Sequence, residues 1–148
     1  MSAPRTARLL ATLLAAGVLA ACTGPTAQRQ AAVDALNAQL PAAYRDGLVT
    51  ERAYIQRGVL VLDVRFAEAR VAQLEARPHL RDALRADETE AMAELCDEPL
   101  LVPYLQAGGR VQRRFIDADG APFFAPTLDG RDCPATPDSS TSTDTHAP

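Results

Sequence analysis

The chain has no lysine and no tryptophan, and its 148 residues include only two histidines. Between Ser2 and Ser139 there is no serine. A serine nucleophile could therefore come only from the C-terminal tail, which also holds His146. His79 follows Pro78, the kind of helix start where an exposed or capping histidine is commonplace. All fifteen basic residues are arginines spread along the chain. With no basic tract, the sequence lacks the electrostatic footprint of a nucleic-acid binder. The longest apolar run, from Leu9 to Ala21, is thirteen residues with Thr12 as its only polar member; a membrane-spanning helix needs roughly 20. Asp117-Ala118-Asp119-Gly120 begins like a calcium loop but lacks the third acidic position and the downstream glutamate. Asp-Gly between two strands reads as a hairpin turn. Glu88 and Glu90 are two apart and share no helical face; they read as the solvated first turn of a helix. These gaps lead us to expect no metal, no cofactor and no catalytic residue.

The N-terminus is where the sequence is informative. Arg5 and Arg8 precede the apolar run, the order a secretory signal requires. The run ends in Leu19-Ala20-Ala21-Cys22, which resembles the lipobox of bacterial lipoproteins. That resemblance covers the first twenty-two residues and implies a signal peptide over residues 1–21, cleavage before Cys22, and lipid on its thiol and amine. Multiple acyl chains would give a stable membrane anchor. Thr23 resembles the class sent to the outer membrane, so the expected location is a lipid-anchored envelope protein facing the periplasm. The alternative is an ordinary signal peptide cut near the same place.

Beyond Cys22 stand thirteen arginines and nineteen acidic residues, a net charge of −6, an ordinary soluble surface. Residues 22–26 read as a lipidated tether, and residues 134–148, rich in Pro, Ser and Thr, as a disordered tail. Residues 27–133 are left for a single domain, enough for one modest core.

Within it, Val33, Leu36 and Leu40 predict a helix over residues 28–40 that Pro41 ends or bends. Residues 49–56 and 59–66 predict strands about an Arg57-Gly58 turn. In the first, Val49, Ala53 and Ile55 alternate against Thr50, Arg52 and Tyr54. In the second, Leu60, Leu62, Val64 and Phe66 fall on one face, with Val59, Val61, Asp63 and Arg65 on the other. Residues 67–77 resume helical spacing, Leu80 and Leu84 continue it, and Asp87 is placed to cap a further helix through Met92 and Leu95. A short helix over residues 100–105 precedes a second hairpin, 110–116 and 123–128. Because Pro122 and Pro126 cannot donate to a ladder, its last strand should be short or at an edge. The expected fold is α+β: a four-stranded, mainly antiparallel sheet of two hairpins, helices on one face, and one disulfide. The order of elements resembles that of small secreted proteins of proteobacteria, a likeness that carries no activity.

Three cysteines leave one over in an exported protein. Lipid on Cys22 would leave Cys96 and Cys133 as a disulfide pair; free thiols or a metal pair are the alternatives. For partner binding the candidates are Arg110, Gln112 and Arg114, alternating on one strand, with Arg52 and Arg65 beside them. Guanidinium forks suit carboxylates and phosphates, so this face could meet an acidic envelope protein, peptidoglycan or lipid phosphate. Alternatively these arginines only pair with Asp63 and Glu51 on a wet face. The expected function is a non-enzymatic binding or assembly module of the envelope, the alternative a periplasmic inhibitor of an envelope hydrolase.

Overall fold

The computed structural model describes residues 25–45 and 47–135. The signal segment, Cys22 and residues 136–148 of the expected tail lie outside the described residues. Six strands form one mixed sheet: β1 (Ala42–Ala43), β2 (Leu48–Gln56), β3 (Val59–Phe66), β4 (Arg110–Ile116), β5 (Pro122–Phe124) and β6 (Thr127–Asp129). The order is β1-β2-β3-β4-β5, and β6 also pairs with β4.

β2 and β3 form the tightest unit. Arg57 and Gly58 both take positive φ, 50° and 82°, the two-residue turn whose twist suits a hairpin. Pairing runs from Gln56 and Val59 at the turn to Leu48 and Phe66. An irregularity at Glu51 reverses the expected phase of the first residues of β2. Val49 lies opposite Arg65, on the open face, and Thr50 opposite Val64, on the core face. An extra residue in one strand of a pair shifts every later side chain to the other face.

The two predicted hairpins are joined differently from a simple antiparallel sheet. β3 and β4 run parallel, Leu60 beside Val111 through Arg65 beside Ile116. A parallel neighbour needs a long crossover, and residues 67–109 supply it as helices. The last strand is split. Pro126 has no N–H, and the chain pairs with β4 as two short pieces, Phe115 with Phe124 and Val111 with Leu128. Between them the Pro126 carbonyl accepts from Arg113 N–H.

The helices are α1 (Pro25–Asn37), α2 (Val71–Glu75), α3 (Pro78–Glu90) and α4 (Val102–Gln106), with 3-10 turns over Ala91–Asp97 and Gly130–Asp132. α1 starts inside the stretch read as tether. The helix expected over residues 67–77 is only the five residues of α2. Asp87 is no cap, since α3 begins at Pro78, where proline's missing N–H costs nothing, and runs past Asp87 to Glu90. Glu88 thus falls in a last turn and is 2 % exposed.

Helices α1, α3 and α4 and the first 3-10 turn pack toward one face of the sheet. Ala32 and Val33 of α1, Met92 and Leu95 of the first 3-10 turn, and Leu101, Tyr104 and Leu105 pack on Leu60, Leu62 and Val111. A second cluster joins Leu48, Val64, Phe115 and Phe124, with Leu84 of α3 against it. Each fully buried aliphatic or aromatic side chain contributes roughly 1.5–3 kcal/mol. A disulfide links Cys96 to Cys133 with Cα atoms 5.5 Å apart. It ties the first 3-10 turn to the end of the second, where Gly130 passes so close to the Leu105 carbonyl that a Cβ would overlap it.

One sheet edge is closed by a side chain. The Asn37 carboxamide, at the end of α1, donates to the Ala53 carbonyl at 2.8 Å and accepts from the Ala53 N–H at 2.8 Å.

Candidate partner-binding face

The face of the sheet away from the helices is built from β2, β3 and β4, whose register sets Arg52 beside Asp63 and Asp63 beside Arg114. Asp63 is its centre. It belongs to the face expected to be wet, yet its side chain is 0 % exposed because neighbouring arginines fold over it. Oδ1 accepts from Arg114 Nε at 2.8 Å and from Tyr54 Oη at 3.2 Å. Oδ2 accepts from Arg52 Nε at 2.7 Å and Arg114 Nη2 at 2.9 Å. Burial pushes the Asp63 carboxyl up, but the bonds and charges of Arg114 and Arg52 outweigh it and hold it below the usual carboxylate range. The same two guanidiniums lie 5.1 Å (Arg52) and 5.7 Å (Arg114) from the Tyr54 ring centroid.

The clamp does not exhaust its donors. Among the described residues, nothing accepts from the terminal nitrogens of Arg52, from Arg114 Nη1 or from the Arg110 guanidinium. The Arg52 side chain is 62 % exposed; Arg110 is exposed too, four residues before Arg114 on β4 and paired in register with Asp129. Gln112 is half-buried and donates to Thr127 Oγ1 at 3.1 Å. The structure therefore brings Arg52, Arg110, Gln112 and Arg114 to one face, and Arg114 also has a structural task there.

Arg65, grouped with them from sequence, is committed elsewhere. It is paired with Glu51, and its Nη1 donates to the carbonyls of Asp117 (2.8 Å) and Ala118 (3.1 Å). Asp117 is the staple of the Asp117–Gly120 turn. Its carboxylate accepts from the N–H groups of Val71, Asp119 and Ala121 at 3.0, 2.9 and 2.8 Å. These bonds, Val71's foremost, hold its carboxyl below the usual range. Three protein amides thus occupy the carboxylate that would begin a calcium loop. Among the described residues, no group of three His, Cys, Asp or Glu is placed to hold a metal ion, and no helix is long and apolar enough to cross a membrane. His79 is exposed at the second position of α3.

A second set of polar residues, missed in the sequence, lies on the helix side. Arg113 follows Val111 and precedes Phe115 on the core face, and is only 6 % exposed. Its Nη1 donates to Tyr44 Oη at 2.6 Å and to the Ala91 carbonyl at 3.2 Å. Tyr44 Oη in turn donates to Glu88 Oε2 at 2.8 Å. Burial, then the hydrogen bond to Glu88, pushes the Tyr44 hydroxyl up to about 12. Burial also lowers Arg113 from its ordinary value. The signal was available: the alternation that sends Arg110, Gln112 and Arg114 outward must send Arg113 inward.

No protein-family model matches the chain, and no curated protein matches it. Two solved structures share the fold. A Pseudomonas aeruginosa protein described as secreted aligns over 71 % of this chain and 88 % of its own, at 11 % identity and TM-score 0.53. The pilotin EpsS of the Vibrio vulnificus type 2 secretion system aligns over 76 % of this chain and 96 % of its own, at 14 % identity and TM-score 0.51.

Proposed function

We propose that the protein is an envelope lipoprotein, anchored through lipid on Cys22, whose open sheet face is a non-enzymatic binding or assembly surface for an acidic envelope partner. One observation carries the reading. Asp63 fixes the guanidiniums of Arg52 and Arg114 while leaving donors on both unspent, on the face that also carries Arg110 opposite Asp129. Guanidiniums held in place lose little side-chain entropy when they meet a carboxylate. A cationic face on a chain of negative net charge steers an acidic partner to that face. The fold shared with a secretion-system pilotin and a secreted protein supports an assembly role in the envelope. The resemblance of Leu19-Ala20-Ala21-Cys22 to a lipobox supports the anchor.

The test is in-cell photocrosslinking from positions 110 and 112, with position 93, exposed on the helix side, as control. Adducts to one envelope component should form from 110 and 112 alone, and Arg110→Glu, which leaves the Asp63 clamp untouched, should remove those from 112. A hydrolase as the adduct would favour the inhibitor reading; equal adducts from position 93 would refute the face. Arg114→Glu is unsuitable as the reversal, because it sets a carboxylate against buried Asp63.

A further inference from the structure

Arg29, Arg57 and Arg110 gather at the end of the sheet where the β2–β3 turn lies, and none of them makes an ion pair among the described residues. Arg29 of α1 reaches the turn: its Nη1 would lie 3.5 Å from a Cβ at Gly58. Its Nε is buried with no acceptor among the described residues, a destabilising arrangement that nothing in the packing offsets. Arg57 stands exposed at the turn itself. The Tyr104 hydroxyl lies 3.4 Å from the Gly58 carbonyl and 3.0 Å from the Arg110 carbonyl, which brings Arg110 to the same end. Asp129, opposite Arg110 in register, is paired with Arg131 at 2.8 Å. With Asp132 beside it, four arginines stand against two aspartates here, on a chain whose net charge beyond Cys22 is −6.

The chain also enters the domain at this end. α1 begins at Pro25, and Arg29 is four residues on, about 6 Å along the helix. Asn37, at the other end of α1, meets Ala53 within β2. α1 therefore starts beside the turn and runs away from it. No acidic residue stands in its first turn, so the helix start adds a partial positive charge of its own. Cys22 is three residues before Pro25, a span of at most about 11 Å. We propose that this arginine end docks on the phosphates of phospholipid headgroups, with Arg29 and Arg57 as its contacts, and so stands the open sheet face side-on to the membrane. The proposal rests on the lipid anchor proposed above. Lipid on Cys22 would hold these guanidiniums near the distance, roughly 8 Å at physiological salt, over which an anionic surface attracts them.

The chain has no tryptophan. One introduced at exposed Gln56, beside Arg57, or at exposed Ala67, past the far end of β3, reports its distance from a dansyl-headgroup lipid by energy transfer. The eight residues of β3 hold the two positions roughly 26 Å apart. The lipoprotein carrying either tryptophan is purified from membranes and reconstituted in vesicles of phosphatidylcholine, alone or with an equal share of phosphatidylglycerol. Transfer from position 56 should be high in the anionic vesicles and fall in phosphatidylcholine or in high salt; position 67 should stay low throughout. Each arginine at an anionic surface is worth about fivefold, so Arg29→Gln with Arg57→Asn should weaken docking about 20- to 30-fold. Glutamine suits the helix and asparagine the positive φ, so the melting temperature should hold. Lysine at both positions should restore docking, because an ammonium serves a phosphate as a point charge. Equal transfer from both positions, indifference to lipid charge, or neutral variants that dock as the parent does would each overturn the proposal. Intact mass of the purified protein reads the anchor separately. If Cys22 carries no acyl chain the anchor reading fails, and the comparison is made with the Cys22 thiol coupled to a maleimide lipid. There a persisting effect of lipid charge upholds the arginine end, and its absence overturns that too.

Discussion

Replacing Asp63 by asparagine removes one charge and almost no volume, so the loss isolates the clamp. The carboxylate accepts four hydrogen bonds from three side chains and is 0 % exposed. The amide still has an accepting oxygen, but its NH₂ faces a guanidinium that can only donate. Two arginines are also left adjacent with no counter-charge. Breaking a well-buried ion pair costs roughly 3–5 kcal/mol. Here Arg52 is 62 % and Arg114 27 % exposed, so water recovers part of that, and about 2–3 kcal/mol is expected. For a domain of this length each kcal/mol is worth about 4 °C, so the melting temperature should fall by about 8–12 °C. The acid limb supplies a second reading. Because the folded pKa of Asp63 lies below the unfolded value of about 3.9, its contribution is present above that pH and is lost as pH falls through the folded pKa. Asp63→Asn should therefore flatten the loss of stability below about pH 4. Urea unfolding of the exported protein at several pH values measures both. A change under about 0.5 kcal/mol at neutral pH, within the range of ordinary surface substitutions, would refute the clamp.

Three further outcomes are expected. An acyl-chain probe should label the protein in cells and Cys22→Ser should lose the label and move to the soluble fraction; absence of label in the parent sinks the lipid anchor. Cys96→Ala with Cys133→Ala opens a link across 37 positions, which should cost about 4 kcal/mol on the chain-entropy model; an unchanged urea midpoint would contradict it. The Tyr44 hydroxyl, raised to about 12, binds its proton more tightly folded than unfolded. Stability should accordingly decline from about pH 10 toward 12, and Tyr44→Phe should remove that part of the decline in an alkaline unfolding series.

Strands and turns were legible where one periodicity governed them. Residues 59–66 alternate without interruption, and the turn before them needs a glycine. The faces of β3 and β4 follow from that, and with them the clustering of Arg52, Arg110, Gln112 and Arg114. What failed to show had non-local causes. Nothing in residues 49–56 announces an extra residue at Glu51. The parallel pairing of β3 and β4 depends on how the crossover packs, not on either strand's own sequence. Glu88 looked solvated because its partner Tyr44 lies 44 positions away. The burial of Asp63 could not be read from alternation either, since it comes from arginines of two other strands covering it.

Asn37 has a further consequence. Its carboxamide presents Ala53 with the same donor and acceptor that a residue of an adjoining strand would. An incoming extended segment finds that rung already filled, and beyond it only the two residues of β1. At the opposite margin the three-residue strands and their prolines offer little more. Exposed strand margins invite self-templated stacking into fibrils, a hazard for any chain that is crowded at a membrane. A single side chain at the end of a helix thus occupies a rung that an added strand would need, and Asn37→Ala would reopen it while leaving both faces of the sheet as they are.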